Sequence, residues 1–185
     1  MLEIPQAPKV SDFCSRYFRF CELFFAGQTY AQHAPPNTPR ELETWEDYSR
    51  LARDILDPLR DRFGPLEITY GFASRDLLKL IPKNISPSRD QHAGSELSRE
   101  KRFICERRGA AVDFFIPDLS SLEVAAWIVQ NLNFDRMYFY GKERPIHISF
   151  SRSPMNVIFS MERSKVTGLR VPRKINHEAF VNSSK

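Results

Sequence analysis

The sequence has few cysteines and no long apolar run. Its 185 residues contain three thiols, Cys14, Cys21 and Cys105. The number is odd and no C-x-x-C spacing occurs, which argues against a disulfide framework and fits a reducing, cytoplasmic setting. No stretch approaches the roughly 18 apolar residues of a membrane span, so no membrane partner is expected. Residues 1–9 carry one acid, one base and two prolines. They lack a basic start and an apolar centre, so no secretory signal is expected. Histidine is scarce too, limited to His33, His92, His147 and His177. There is no H-E-x-x-H, no cysteine quartet, no internal repeat and no low-complexity tract. What is present suffices to fold. Hydrophobic residues make up 42% and charged residues 27%, which excludes disorder as the main state. The length fits one domain whose core needs no staple.

The net charge of +4 is unevenly placed. Residues 1–162 hold 21 bases and 22 acids, whereas residues 163–185 hold six bases and one acid. A near-neutral domain over 1–162 and a basic tail over 163–185 are expected. A basic tail can attract phosphate, but a solvated, partly frayed end explains it equally. It is the only feature offered to nucleic acid, since no recognition helix, zinc knuckle or stacking motif accompanies it.

Phe13, Tyr17, Cys21 and Phe24 recur at helical spacing and predict a helix over 12–26 that ends at Gly27, with Cys14 and Cys21 as core thiols. Thr38-Pro39-Arg40-Glu41 predicts a capping box opening a second helix. Trp45, Tyr48, Ala52, Ile55 and Leu59 continue it, with a kink or restart at Asp57 before Pro58 and a stop at Gly64-Pro65. Strands are expected over 66–70, 111–116, 137–140, 146–150 and 156–160. A short helix is expected over 74–81, and another opens at the box Ser120-Ser121-Leu122-Glu123. Residues 82–102 read as a long polar loop, a length that in a compact domain usually marks function or mobility. The pattern predicts an α+β domain with helices packed on a central antiparallel sheet.

Asp113 stands among Ala111, Val112, Phe114, Phe115 and Ile116. A carboxylate in so apolar a strand costs several kcal/mol unless it is paired or bound to metal. An arginine such as Arg107 or Arg108 could face it. Two imidazoles with a carboxylate could do so too, as the three-ligand set of an open zinc site. Spacing alone does not separate these readings.

Longer stretches add a resemblance. Asn37-Thr38-Pro39 is followed by Leu51-Ala52-Arg53-Asp54-Ile55-Leu56-Asp57-Pro58-Leu59-Arg60, then Phe63-Gly64-Pro65, then Ile68-Thr69-Tyr70-Gly71-Phe72. Gly109, Ala111 and Asp113 then stand in the register of the second half of H-x-x-G-x-A-x-D, and His147 with Ser149 gives H-x-S. In order and content, residues 37–150 resemble the zinc D-Ala-D-Ala carboxypeptidase family. The resemblance implies the Hedgehog/DD-peptidase fold, a Zn2+ cofactor and hydrolysis of a peptide-like amide.

It also implies a ligand set. The register position of the first metal histidine holds Glu106, but His92 follows Gln91 as in the family's S-q-H. With residues 93–105 as an insertion, His92, Asp113 and His147 become the zinc set. The rival set of Glu106, Asp113 and His147 is richer in oxygen, which suits zinc less well. The family's substrate-carboxylate arginine has no direct counterpart, because Gly71-Phe72-Ala73-Ser74 puts Arg75 one place late. The family's base precedes the last ligand by three residues, where Arg144 stands. Glu143 is therefore the first candidate base, with Glu96 and Glu106 behind it, and Arg144 or Arg136 could steady a developing oxyanion. The alternative is a non-catalytic relative that keeps the metal and binds protein or nucleic acid.

Overall fold

A computed structural model describes residues 8–81, 89–164, 168 and 170–182. Helices come first: α1 (Phe20–Leu23), α2 (Gly27–His33), α3 (Leu42–Leu51) and α4 (Asp57–Phe63). Between α3 and α4 runs one π-helical stretch, Ala52–Leu56. Pro58 has no N–H for the carbonyl four residues back, so the regular ladder fails one turn before it and restarts at Asp57. The helix ends at Gly64, whose φ of +88° suits a residue without Cβ.

Six strands follow, interleaved with two helices. They are β1 (Glu67–Tyr70), β2 (Ala110–Phe115), β3 (Arg136–Phe139), β4 (Ile146–Phe150), β5 (Val157–Arg163) and β6 (Arg170–Ile175). Helix α5 (Arg75–Leu78) follows β1, α6 (Ser121–Asn131) follows β2 and α7 (His177–Asn182) follows β6. The sheet order is β1-β2-β4-β3-β5-β6. Every pairing is antiparallel except β3 with β5, which is parallel. The fold is thus α+β with a mostly antiparallel sheet.

Register divides the sheet into two faces. One row of partners reads Val112, Ile148, Met137, Ile158 and Ile175. The first four are buried in the main core with Tyr48, Leu51, Ile55 and Ile128 from the helices, and Ile175 packs against its edge. The row one residue along reads Tyr70, Asp113, His147, Tyr138, Phe159 and Lys174. Side chains alternate between faces along a strand, so this polar and aromatic row lies on the side opposite the apolar one.

Local pattern misled in several places. Residues 12–19 are not helical: the Ser15 hydroxyl and Arg16 amide donate to the Asp57 carboxylate at 2.9 and 3.1 Å, and Phe13 bridges Arg19. Gly27, expected to end a helix, begins one. Cys14 is buried as expected, but Cys21 is exposed, because the two are not on one continuous helix. The Thr38–Glu41 box does not form, and α3 begins at Leu42 without a side-chain cap of its own. The basic tail is largely built into the fold. Residues 170–175 form the outer strand, with Pro172 tolerated at the edge, and Phe180 of α7 is in the core. Of the long loop, residues 82–88 lie outside the described residues. The rest is ordered by a 3-10 turn at Gln91–Ala93 and a bridge between Leu97 and Phe103.

Candidate metal centre

The polar row meets the ordered loop at one point. His92 Nε2 lies 3.1 Å from His147 Nδ1 and 3.4 Å from Asp113 Oδ1. His147 Nδ1 lies 2.8 Å from the same carboxylate oxygen. Ligands 2.0–2.1 Å from a tetrahedral ion stand about 3.3 Å apart, so this triangle is close to the size of one face of such a shell. The group could hold a metal ion. Among the described residues no other cluster of three metal-ligating side chains is this close.

Each member is held by a different part of the chain. Asp113 and His147 are register partners on β2 and β4. His92 comes from the loop, and its backbone is fastened at both ends. Its N–H donates to Asp90 Oδ1 at 3.0 Å. Its carbonyl accepts from the Ala73 amide at 2.9 Å and from the Tyr48 hydroxyl at 3.2 Å. The ring nitrogen Nδ1 is 2.9 Å from the Gly71 carbonyl oxygen. A carbonyl only accepts, so in the neutral ring Nδ1 carries the proton and Nε2 turns its lone pair to the site. A Cβ on Gly71 would meet the Leu23 carbonyl oxygen at 1.9 Å, so only glycine brings that carbonyl here.

Gln91 ties the loop to the sheet beside its neighbour. Its amide nitrogen donates to Asp135 Oδ2 and to the Arg108 carbonyl, both at 3.0 Å, and its carbonyl oxygen accepts from the Ser149 hydroxyl at 2.9 Å.

The local field favours positive charge. Burial opposes protonation of His92, yet Asp90 and Asp113 raise its pKa to about 9. Partial enclosure pushes Asp113 upward, but His92 and His147 more than reverse this and hold it well below the ordinary carboxylate range. Burial pushes the nearby Tyr140 phenol up to about 12.

The arginines that could have paired with Asp113 do not. Arg107 binds Asp135, and Arg108 lies 3.5 Å from Glu43. The three glutamates proposed as bases are elsewhere. Glu96 is buried, and its carboxylate accepts from the Arg40 and Glu41 amides and the Thr44 hydroxyl at 3.0–3.2 Å. It supplies the cap that Thr38 does not. Glu106 borders a cleft with Glu43, Asp47 and Arg152. Glu143 borders a groove with Lys142, Ser121 and Phe115. Neither cleft is lined by Asp113, His92 or His147. Arg144 does border the cavity that reaches Asp113. Arg136 stands 3.9 Å from Asp135. Pattern reading missed Asp90, which shares a cavity with His147. Its place two residues before His92 was the available signal.

No helix among the described residues is long and apolar enough to cross a membrane. No family model, no curated protein and no solved structure matches this chain.

Proposed function

We propose that the chain is a zinc-dependent hydrolase of peptidase or amidase type, a divergent relative of the D-Ala-D-Ala carboxypeptidases with their Hedgehog/DD-peptidase fold. The observation that carries the reading is the triangle of His92 Nε2, His147 Nδ1 and Asp113 Oδ1, with sides of 2.8 to 3.4 Å. Two nitrogens and one carboxylate oxygen form a donor set suited to zinc, with a fourth position left for water or substrate. The site opens to cavities of about 350 and 280 Å³, room for a short stretch of extended peptide.

Zinc, when bound, supplies Lewis acidity to a carbonyl and lowers the pKa of water. His92, Asp113 and His147 would hold it, with the Gly71 carbonyl fixing the His92 ring through Nδ1. Asp90 takes the place first given to Glu143. It is the carboxylate beside the group that is not one of the three ligands, and it can take a proton from the attacking water and return it to the leaving amine. The Arg144 guanidinium, on the same cavity as Asp113, can steady charge developing on the carbonyl oxygen.

The test is metal content followed by turnover. Purified protein should carry zinc in equimolar amount, lose it to a chelator and regain it, and cleave members of a peptide-amide library only when loaded. Stoichiometric zinc without cleavage of any amide would leave the non-catalytic alternative. Absence of zinc binding would remove both.

A further inference from the structure

The two cavities at the site meet at Tyr140 and Arg170. The one that reaches Asp113 is walled by Tyr140, Arg144, Pro145, Arg163 and Arg170. Its three arginines come from three places: the turn before β4, the end of β5 and the start of β6. Several arginines of this protein have acidic partners, though others on the surface have none among the described residues. Arg107 has Asp135, Arg108 has Glu43, Arg152 has Glu46 and Asp47, and Arg173 has Glu162. Arg144, Arg163 and Arg170 form no ion pair among the described residues.

Their placement has a cost. Arg163 and Arg170 are direct register partners in the β5–β6 pair, and like charges facing each other across strands destabilise a sheet. A shared anion reverses the sign of that term. Arg170 is already oriented: one of its nitrogens donates to the carbonyls of Tyr140 and Met161 at 3.0 and 3.4 Å, and its guanidinium lies 5.5 Å from the centre of the Tyr140 ring. Such a fork offers its remaining N–H groups to a planar or tetrahedral anion.

We infer that this groove binds an anionic group of the ligand, a carboxylate or a phosphate, between Arg144, Arg163 and Arg170. The inference deepens the hydrolase reading, on which it rests only for the role of the neighbouring metal. Substrates should carry negative charge a few ångströms from the bond cleaved. The basic end of the chain thereby acquires a task at the site, with Arg163 and Arg170 brought there by the hairpin.

The experiment is calorimetric titration of the full chain, metal-free and zinc-loaded. The probes are inorganic phosphate and a pair of N-acetyl dipeptides that differ only in ending in a carboxylate or a carboxamide. Arg163→Gln/Arg170→Gln should weaken at least one anionic probe tenfold or more, with and without zinc. Arg173→Gln, on the other face of β6, should leave it unchanged. Loss confined to phosphate identifies a phosphate group, and loss confined to the carboxylate dipeptide identifies a carboxylate. Equal affinity in wild type and double variant, or no binding of either anion at about 10 mM, overturns the inference. Arginine-dependent binding in a protein that takes up no zinc would sustain it while the metal reading fails. Zinc uptake with arginine-independent anion binding would do the reverse.

Discussion

Asp135 and Asp113 are both carboxylates drawn into the fold beside the same loop, yet the protein treats them differently. Asp135 has no exposed side-chain surface, and its oxygens are taken by the Arg107 guanidinium, the Gln91 amide and the Met155 N–H. Its charge is balanced by a cation of the chain itself. Asp113 lies against two imidazoles and forms no ion pair with an arginine among the described residues, and 31% of its side chain is open to the groove. Its charge is opposed by the His92 ring beside it. The first arrangement is a structural brace, and the second is a group that could hold a metal ion. Gln91 joins them, because it binds Asp135 and precedes His92.

The largest effect is expected in turnover. Asp90→Asn should keep the cap on the His92 amide and keep zinc, yet lower the rate about 10²–10⁴-fold, the usual worth of a general base. Steady-state kinetics beside metal analysis would check it, and unchanged turnover would remove Asp90 from that role. Next is the brace. Arg107→Ala should lower stability by up to about 3–5 kcal/mol in urea unfolding, because it leaves the buried Asp135 carboxylate with only the Arg136 guanidinium, at 3.9 Å, to oppose its charge. Asp113→Ala should cost much less in the metal-free protein while abolishing zinc uptake. If the two variants were equally destabilising, the contrast between the two carboxylates would be lost.

Smaller effects sharpen the link between the two regions. Gln91→Ala removes the tie between loop and brace, and zinc affinity should fall about 10–100-fold, as for other groups that orient a ligand. Competition with a chromogenic chelator would measure it. The pH dependence has a definite sign. The His92 pKa is raised from 6.5 to about 9 in the folded, metal-free protein. Its contribution to stability is therefore complete below pH 6.5 and lost as pH rises through 9. Zinc competes with that proton, so zinc affinity should rise over the same window. Urea midpoints between pH 6 and 10, with and without zinc, test both signs.

How much of this was legible in the sequence depended on the range of the interaction. Asp113 drew attention because an acid in an apolar strand needs a partner, and the alternation on β2 and β4 puts it on the same face as His147. His92 became a candidate through motif order alone, since its position depends on Gly71, Tyr48 and Ala73, all distant in the chain. Glu96 could not be recognised as the cap of α3, because the groups that donate to it lie more than fifty residues away in sequence. The base went to Glu143 by analogy of spacing, and a one-residue offset near a strand turns a side chain to another groove. Strand β6 was hidden because Arg170-Val171-Pro172-Arg173-Lys174 has no apolar alternation. An edge strand open to water needs little.

Whether His92, Asp113 and His147 form a cation site is decided by zinc stoichiometry. The full chain would be stripped with chelator, dialysed against dilute zinc and analysed for bound metal beside His92→Ala, Asp113→Ala and Arg173→Gln. One zinc per chain is expected in the wild type and in Arg173→Gln, and near zero in the other two variants while their circular dichroism stays native. Zinc absent from the folded wild type, or retained equally by all four proteins, would contradict it.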